Sequence, residues 1–572
     1  MVISRLYYIF WVWYNFKKIL NEVIYSYMDS FWEKFDSQKV FEKISDELLE
    51  EALFDNPNLI NVILKYKNTV NRYDEVLREF LLNYSNSAEI LLSHYEVKNN
   101  FQKDILCIPP SLTLDDKENI LLDYLSSNDP NINYIKLILN MRNQKGFKIT
   151  DKTRLKAKRV LSNETDKLLK ISASMKYGVN VTFDSNELLS KNVSIDEDQT
   201  MHYVYSASYI KSNSDPYSLF LNFKDLFEYL DIENRISLVS NKRNLGTFER
   251  IIGLRSKDEY LKGIAFRIAE SSSLAQIMGY SKVVEDLGKP LESLLSIIFM
   301  EVFPSKYSLP SNARFLVPTA TSYLEKIRFL APEFESALKQ FKLYVEDKEI
   351  DFELLQISSA PSSIKDIPSL NRNKYIYLNE DNNISVNCSD LLFSDQTLLA
   401  YVEPFKEKKY GTFFNLLINE DVKFSSYESF LLPRLNYLLD NNVIHVDKSD
   451  SIIFNNPLRV LVLKDLYDNE VASFHHYPEK YQNEILKMAK EDLIYLENSL
   501  FSKPEQSYFN YYLNKSEFTN GLDLRNSYLH GTQASSKDEK EHEIAYFTYL
   551  KLVILAFLKI DDDLKIYSSI SN

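Results

Sequence analysis

One short segment near the carboxyl end of the chain brings together an arginine, an asparagine and a histidine. It reads Leu524-Arg525-Asn526-Ser527-Tyr528-Leu529-His530-Gly531. In a helix, Asn526 and His530 share a face because they are four positions apart, and Arg525 reaches around the same end. The dipole at a helix C-terminus favours the imidazolium form, so His530 could give and take protons near neutral pH. The spacing therefore predicts proton transfer beside a permanent cation.

Four helices are predicted to position this segment, in a bundle over residues 471–572. The first has Pro478 in its first turn, and apolar residues from Tyr481 onward mark its buried face. Pro504 opens the second helix, and the third runs from Asp523 to His530 and stops at Gly531. The last helix spans about residues 541–560, after a capping box predicted over residues 536–539.

The octapeptide closely resembles the signature of the HEPN superfamily, a group of small helical ribonuclease domains. That signature is an arginine, a polar residue that is often asparagine, three variable residues and then histidine, late in a four-helix bundle. Arg525, Asn526 and His530 occupy these positions. The resemblance covers about a fifth of the chain, over residues 471–572.

The resemblance implies a metal-independent endoribonuclease, in which the RNA 2′-hydroxyl attacks the adjacent phosphate and leaves a cyclic phosphate end. His530 would be the general acid or base, Arg525 would stabilise charge on the phosphorane, and Asn526 would orient His530 or the phosphate. No cofactor is expected. The family builds its site across a two-fold axis, which implies a homodimer through the C-terminal bundle.

Family analogy extends to biology and also leaves two alternatives open. Proteins in which a large unassigned region precedes such a domain are often toxins or abortive-infection or anti-phage defence effectors. The trigger of such an effector would be a phage-derived or other protein. The bundle could instead be a non-catalytic dimerisation or binding module. Alternatively, the chain could be a sensor or scaffold whose main function resides in residues 1–400, with the bundle serving only for dimerisation.

Charge distribution identifies a second candidate site, for RNA binding. The chain carries a net charge of −14, so global attraction to nucleic acid is not expected. Residues 142–159 are the exception, with eight basic side chains against one acidic, Asp151. This window is interpreted either as a solvated helix face or as a phosphate-binding strip. The eight residues are Arg142, Lys145, Lys148, Lys152, Arg154, Lys156, Lys158 and Arg159.

Other chemistry is not indicated by the sequence. Neither of the glycine-rich motifs that bind nucleotide phosphates is present, and the seven histidines include no pair with metal-ligand spacing. Cys107 and Cys388 lie far apart and outside any Cys-x-x-Cys motif, so two free thiols are expected.

The fold class predicted from these patterns is mainly α and multidomain. Residues 1–140 form a helical region, and residues 141–410 a mainly helical one with a short strand at 179–183. A hairpin is predicted over residues 375–386, and Pro304 is expected to end a buried helix that starts at Leu291. Residues 411–470, with a two-stranded ribbon at 443–454, have a winged-helix pattern, which is acidic and favours a protein contact over DNA readout.

The first residues of the chain are strongly apolar, from Leu6 to Tyr14. This stretch is too short to cross a bilayer, which takes about 20 residues. A buried first helix is the favoured interpretation, with attachment to a membrane surface as the alternative. We expect a cytoplasmic protein without stable membrane insertion.

Overall fold

A computed structural model describes most of the chain, namely residues 25–97, 106–171, 178–245, 249, 256–357, 363–529 and 538–571. The apolar stretch from Leu6 to Tyr14 lies outside them. The structure has 58% helix and 9% strand, which confirms a mainly α protein. The chain divides into two compact units. The four regions proposed from the sequence are a finer division and stay a prediction.

Unit 1 comprises Met1–Met175, Arg250–Glu259 and Phe518–Asn520. Its helices are short and enclose one apolar core that includes Trp32, Leu77 and Ile138. They are α1 (Tyr25–Ser37), α2 (Asp46–Asp55), α3 (Leu59–Ile63), α4 (Lys67–Arg72), α5 (Asp74–Asn83), α6 (Ser87–Leu92), α7 (Leu114–Tyr124), α8 (Ile132–Asn140) and α9 (Asp151–Ile171).

The periodic apolar residues of unit 1 predict one helix face correctly and another incorrectly. Val76, Leu77 and Leu81 are buried on α5 as expected. The spacing over residues 40–48 predicts a single helix, but a 3₁₀ turn ends at Lys43 and α2 starts at Asp46. The helix is interrupted because Ile44 and Ser45 are both extended, with Ser45 at the N-cap position of α2.

Unit 2 holds the rest of the chain and begins with a three-stranded sheet. Its strands are β1 (Gly178–Asp184), β2 (Lys191–Ile195) and β3 (Thr200–Ser206), in the order β1-β3-β2. The predicted strand at 179–183 is confirmed by β1. β3 is parallel to β1 and antiparallel to β2.

Helices follow this sheet up to residue 357 of unit 2. They are α10 (Ala207–Ser212), α11 (Pro216–Asp225), α12 (Ile264–Asp286), α13 (Leu291–Ile297), α14 (Phe303–Tyr307), α15 (Tyr323–Asp347) and α16 (Phe352–Ile357). The expectation that Pro304 ends the helix from Leu291 is wrong. A π-helical turn, Ile298–Val302, intervenes, and the Phe303 N–H donates to Ile298, so Pro304 sits in the first turn of α14.

A second layer of unit 2 is built around β4 (Tyr375–Leu378). β4 lies between β7 (Ala472–Ser473) and β8 (Ile494–Glu497), antiparallel to both. The hairpin predicted over residues 375–386 is therefore wrong: residues 384–386 lie in α17 (Asn383–Phe393). The Asn382 side chain accepts hydrogen bonds from the N–H groups of Ile384 and Ser385 and thereby starts this helix.

The segment predicted as a winged helix has its elements in the expected order. It contains α18 (Phe413–Asn419), α19 (Leu432–Asp440), β5 (Ile444–Val446) and β6 (Ile452–Phe454), followed by α20 (Pro457–Asn469). The sequence predicts the second helix over residues 427–439, with Ser425 and Ser426 as caps and Pro433 either kinking it or delaying its start. The structure shows the delay, since α19 begins at Leu432. Ser425 and Ser426 instead lie in a 3₁₀ turn, Phe424–Ser426.

The last helices divide between two parts of unit 2. α21 (Glu479–Lys490) packs with α20 and β8, in the layer built on β4. The helix face predicted from Tyr481 through Leu496 to Leu500 is wrong beyond Lys490, because Leu496 lies in β8, which pairs with β4. α22 (Lys503–Leu513), α23 (Leu524–Leu529) and α24 (Glu539–Ser571) pack with the helical part, where α15, α12, α14 and α11 contact α24. α24 extends well beyond its predicted end at residue 560. The predicted start of α22 at Pro504 is confirmed, with a capping box between Ser502 and Glu505.

Charged side chains are buried at the centre of α24. Asp563 is fully buried, and its carboxylate is 2.7 Å from the Lys374 ammonium. The Lys559 ammonium is 2.9 Å from the Glu505 carboxylate, and both side chains are 1% exposed. Each ion in such a pair needs its partner, because an uncompensated charge in the interior is costly.

We expect Asp563→Ala to lower the free energy of unfolding of unit 2 by about 3–5 kcal/mol, because Lys374 would keep a buried charge without its carboxylate. Urea unfolding followed by circular dichroism measures the loss. The control is Lys342→Ala, which breaks a half-exposed pair with Glu346 and should cost less than about 1 kcal/mol. Equal losses in the two variants would contradict the prediction.

A second stability prediction concerns Lys551, whose side chain is buried and whose ammonium lies 3.1 Å from the Ser273 hydroxyl. Burial lowers the pKa of Lys551 to about 8. The unfolded chain therefore binds more protons between about pH 8 and 10.5, and stability rises with pH in that window. Lys551→Met should stabilise unit 2 by about 1–3 kcal/mol at pH 7, and this gain should shrink above pH 8. A gain that is constant from pH 7 to 10 would argue against it.

Candidate active site

The helix that carries the Arg-Asn-x-x-x-His motif is short. The described part of α23 spans Leu524–Leu529, and His530 lies outside the described residues. Asp523 precedes the helix with a φ of 57°, a left-handed conformation that turns the chain into it. Its carbonyl accepts a hydrogen bond from the Ser527 N–H at 3.0 Å. The helix predicted from Asp523 onward is therefore confirmed over its described residues.

Arg525 forms an ion pair with a residue far away in the sequence. Its Nη2 atom is 3.0 Å from a carboxylate oxygen of Glu335 on α15, and both side chains are about three-quarters buried. The other Glu335 oxygen lies 3.3 Å from the Lys339 ammonium. The Glu335 carboxylate thus fixes the position of the Arg525 guanidinium through its Nη2 atom. Because a guanidinium carries five N–H donors, the contact with Glu335 uses only part of its donor capacity.

Asn526 is exposed and fixed by a local contact. Its side-chain amide donates to the Asp523 carboxylate at 2.8 Å. The amide therefore lies on the solvent side of α23, adjacent in sequence to Arg525. The structure brings Arg525 and Asn526 to the same helix, as the spacing predicts.

Tyr528 anchors α23 to α24 from the buried side. Its hydroxyl lies 3.0 Å from Nδ1 of His542, and both side chains are almost fully buried. Burial raises the pKa of Tyr528 to about 12. The phenol is therefore neutral at physiological pH, and its hydroxyl forms a hydrogen bond with the imidazole.

The basic strip divides into structural and exposed side chains. Arg154 donates to the Leu139 and Met141 carbonyl oxygens at 3.0 and 2.9 Å, which satisfies the end of α8. Lys156 donates to the Leu122 carbonyl oxygen near the end of α7. Arg142 lies 3.8 Å from the Asp258 carboxylate. The remaining five side chains are exposed: Lys145, Lys148, Lys152, Lys158 and Arg159.

On α9, Lys152 and Arg159 are seven positions apart and therefore lie on one face. Leu155, between them on this face, is 48% exposed. The buried face of the helix carries Thr153 and Ala157 instead. The basic side chains that make no such structural contact still form a cationic surface. This surface contains fewer residues than the eight that the sequence indicates.

Several other features bear on the site. Within the described residues, His, Cys, Asp and Glu side chains form no group of three that could hold a metal ion. Cys107 and Cys388 are both free thiols, as expected. No helix in the described part of the chain combines the length and hydropathy needed to cross a membrane.

Glu335, Lys339 and His542 also belong to this site, although no sequence pattern assigns them to it. Glu335 is 190 residues before Arg525, and no local pattern links them. The one sequence signal for His542 is its place in the first turn of the last predicted helix. Comparisons with protein-family models, curated proteins and solved structures found no match to this chain.

The exposed part of the strip can be tested by charge reversal. We expect joint replacement of Lys145, Lys148, Lys152 and Arg159 by Glu to weaken RNA binding for all sequences and to flatten its salt dependence. Binding is measured by fluorescence anisotropy at several salt concentrations.

The matched control reverses four exposed lysines elsewhere, Lys282, Lys448, Lys480 and Lys490, and so changes the net charge equally. It should retain most of the affinity. If both variants lose affinity equally, the strip is only a solvated helix face.

Proposed function

We propose that the chain is a metal-independent endoribonuclease that acts as a toxin or anti-phage defence effector. The observation that carries the proposal is the motif itself, with Arg525 and Asn526 adjacent on a helix and His530 at the spacing of the HEPN signature. The finer fold assignment, a HEPN-like bundle together with a winged-helix segment, belongs to the same proposal.

The roles follow from the chemistry of RNA transesterification. One proton leaves the 2′-hydroxyl as it attacks phosphorus, and another is delivered to the departing 5′-oxygen. His530 supplies one of these transfers. Arg525, oriented by Glu335, stabilises the extra negative charge on the phosphorane, and the Asn526 amide donates to a phosphate oxygen.

The second proton transfer calls for a second group. A homodimer through the C-terminal bundle would supply His530 of the partner subunit, and this dimer is part of the proposal. The site is acidic in its surroundings: residues 471–572 carry 11 basic side chains against 15 acidic ones. RNA would therefore need cationic contacts elsewhere, for which the exposed part of the basic strip is the candidate.

A non-catalytic HEPN-like module is the second candidate function. The ion pair between Arg525 and Glu335 favours it, because the pair gives Arg525 a structural role without RNA. In that case, a charge-conserving replacement of Arg525 would leave the function of the chain intact.

We expect His530→Ala and Arg525→Ala each to reduce RNA cleavage at least about 100-fold, since each removes a group that acts in the transition state. Cleavage of total RNA is followed by gel electrophoresis in buffer with EDTA, in which the wild-type protein should remain fully active. Arg525→Lys should not restore activity, because an ammonium lacks the planar donor pair.

His445→Ala is the matched control, since His445 is exposed on β5 and should not affect cleavage. Circular dichroism verifies the fold, and breaking the part-exposed ion pair of Arg525 should cost at most about 1 kcal/mol. Full cleavage by both active-site variants would remove the ribonuclease proposal, and a requirement for magnesium would remove its metal independence.

A further inference from the structure

The three-stranded sheet of unit 2 ends in an exposed edge strand. Among the described strands, β2 pairs with β3 alone. Four of its five residues are exposed, and Leu188 and Leu189, which precede it, are 97% and 62% exposed. Edge strands are usually protected by proline, a bulge or outward charges. β2 has no proline, and its single charged side chain, Lys191, is 2.7 Å from Glu228.

The register of the sheet gives β2 an apolar face. Val193 lies beside Tyr203 of β3, and Ile195 lies beside Met201. The same two residues of β3 pair with Val181 and Val179 of β1. All of these side chains point to one side of the sheet, because directly paired residues do so.

Helix α12 covers only one end of this apolar face. Tyr280 packs against Phe183, and the Phe183 ring lies 2.7 Å from the position that a Cβ on Gly279 would occupy, so only glycine lets the helix approach. At the other end of the face, Val193 is 40% exposed and Ile195 61%. An apolar row therefore borders the open edge of the sheet.

Backbone hydrogen bonds show which residues of β2 point toward that edge. The Asp196 N–H donates to the Thr200 carbonyl oxygen at 3.1 Å, and the Ser206 N–H donates to the Ser190 carbonyl oxygen at 3.2 Å. Bonding and non-bonding residues alternate in an antiparallel pair. Lys191, Val193 and Ile195 thus direct their N–H and C=O groups away from β3.

We propose that two copies of this chain associate through antiparallel pairing of their β2 strands, about a two-fold axis at Val193. The edge groups of Lys191, Val193 and Ile195 then meet the same groups of the partner, which gives about six backbone hydrogen bonds. The two sheets become one six-stranded sheet with a continuous apolar face.

A second copy is the occupant because the edge is complementary to itself. With Val193 opposite the partner's Val193, Lys191 lies opposite the partner's Ile195, and the side chains of both strands stay on the same face. The exposed side chain of Val193 is then covered by the partner's Val193, and Ile195 by the aliphatic stem of the partner's Lys191.

This interface does not depend on the proposed ribonuclease function. It lies on β2, whereas the homodimer implied by the family resemblance lies at the C-terminal bundle. The response of the oligomeric state to substitutions in β2 tests this interface, and RNA cleavage tests the proposed function separately.

The sharpest variant is Val193→Pro in the full chain. The Val193 N–H makes no bond to β3, so its loss should be tolerated within the monomer, while two of the hydrogen bonds between copies disappear. In sedimentation equilibrium at tens of micromolar, we expect the wild-type protein to associate through β2 in addition to any dimer that the C-terminal bundle forms. In this variant, the dissociation constant of the β2 association should rise about tenfold to hundredfold.

Val193→Lys and Ser194→Lys form a matched pair that preserves the backbone. They add the same charge at neighbouring positions, but the Ser194 side chain lies on the polar face, so only Val193→Lys should dissociate the dimer. This pair also decides the matter if Val193→Pro fails to fold by circular dichroism. Val193→Cys should form a disulfide-linked dimer on mild oxidation, whereas Ser194→Cys and wild-type protein should not.

A wild-type monomer at this concentration would overturn the proposal. So would an oligomeric state that is the same in the wild-type protein and in both Val193 variants, since the association would then lie elsewhere, or binding of a different chain through β2. RNA cleavage by a Val193→Pro variant that has lost the β2 association but keeps the bundle dimer would leave the ribonuclease proposal standing by itself.

Discussion

The buried charges on α24 are the constraint on which the fold of unit 2 depends. Between Lys559 and Asp563, four ionisable side chains lie in the interior of a helix that is otherwise apolar there. Each has a partner from another segment: Glu505 on α22, Tyr217 on α11, His476 before α21, and Lys374 before β4. A charge that must be matched in the interior fixes the position of every segment that matches it.

The electrostatic balance of this cluster is reflected in the pKa values of its carboxyls. Burial would raise the pKa of Asp562, but hydrogen bonding from His476 and the charges of Lys374 and Lys559 lower it to about 2. Asp561 accepts a hydrogen bond from the Tyr217 hydroxyl and interacts with the charge of Lys306, but burial outweighs both and raises its pKa. The pKa values of these adjacent carboxyls thus differ because hydrogen bonding and cationic charge outweigh burial at Asp562 but not at Asp561.

The candidate site is supported by the other end of the same helix. His542 of α24 contacts Tyr528, and α15, which packs along α24, supplies Glu335 to Arg525. The described part of the motif helix is a turn and a half long, and so short a helix is not stable without tertiary contacts. The direction of Arg525 is therefore set by α24 and α15, and a change at Lys559 or Asp563 could reach the site through them.

Local patterns predicted the elements that depend on neighbouring residues. Pro504 marks the start of α22, and the ribbon at residues 444–454 and the strand at 178–184 follow apolar alternation. Patterns failed where a distant partner decides the outcome. Tyr375–Leu378 is a strand because β7 and β8 flank it, and both lie about 100 residues later. The partners of Arg525 and Asp563 are about 190 residues away, which no periodicity can reveal.

The same long-range contacts change the interpretation of the chain's charge. Arg154 and Lys156 in unit 1 donate to helix ends, while Arg235, Lys374 and Lys559 in unit 2 neutralise buried carboxylates. These cations count in the net charge of −14 but offer nothing to a ligand. An anionic polymer would be held by few contacts, and its affinity should be modest at physiological salt and confined to the exposed strip on α9 and the loop before it.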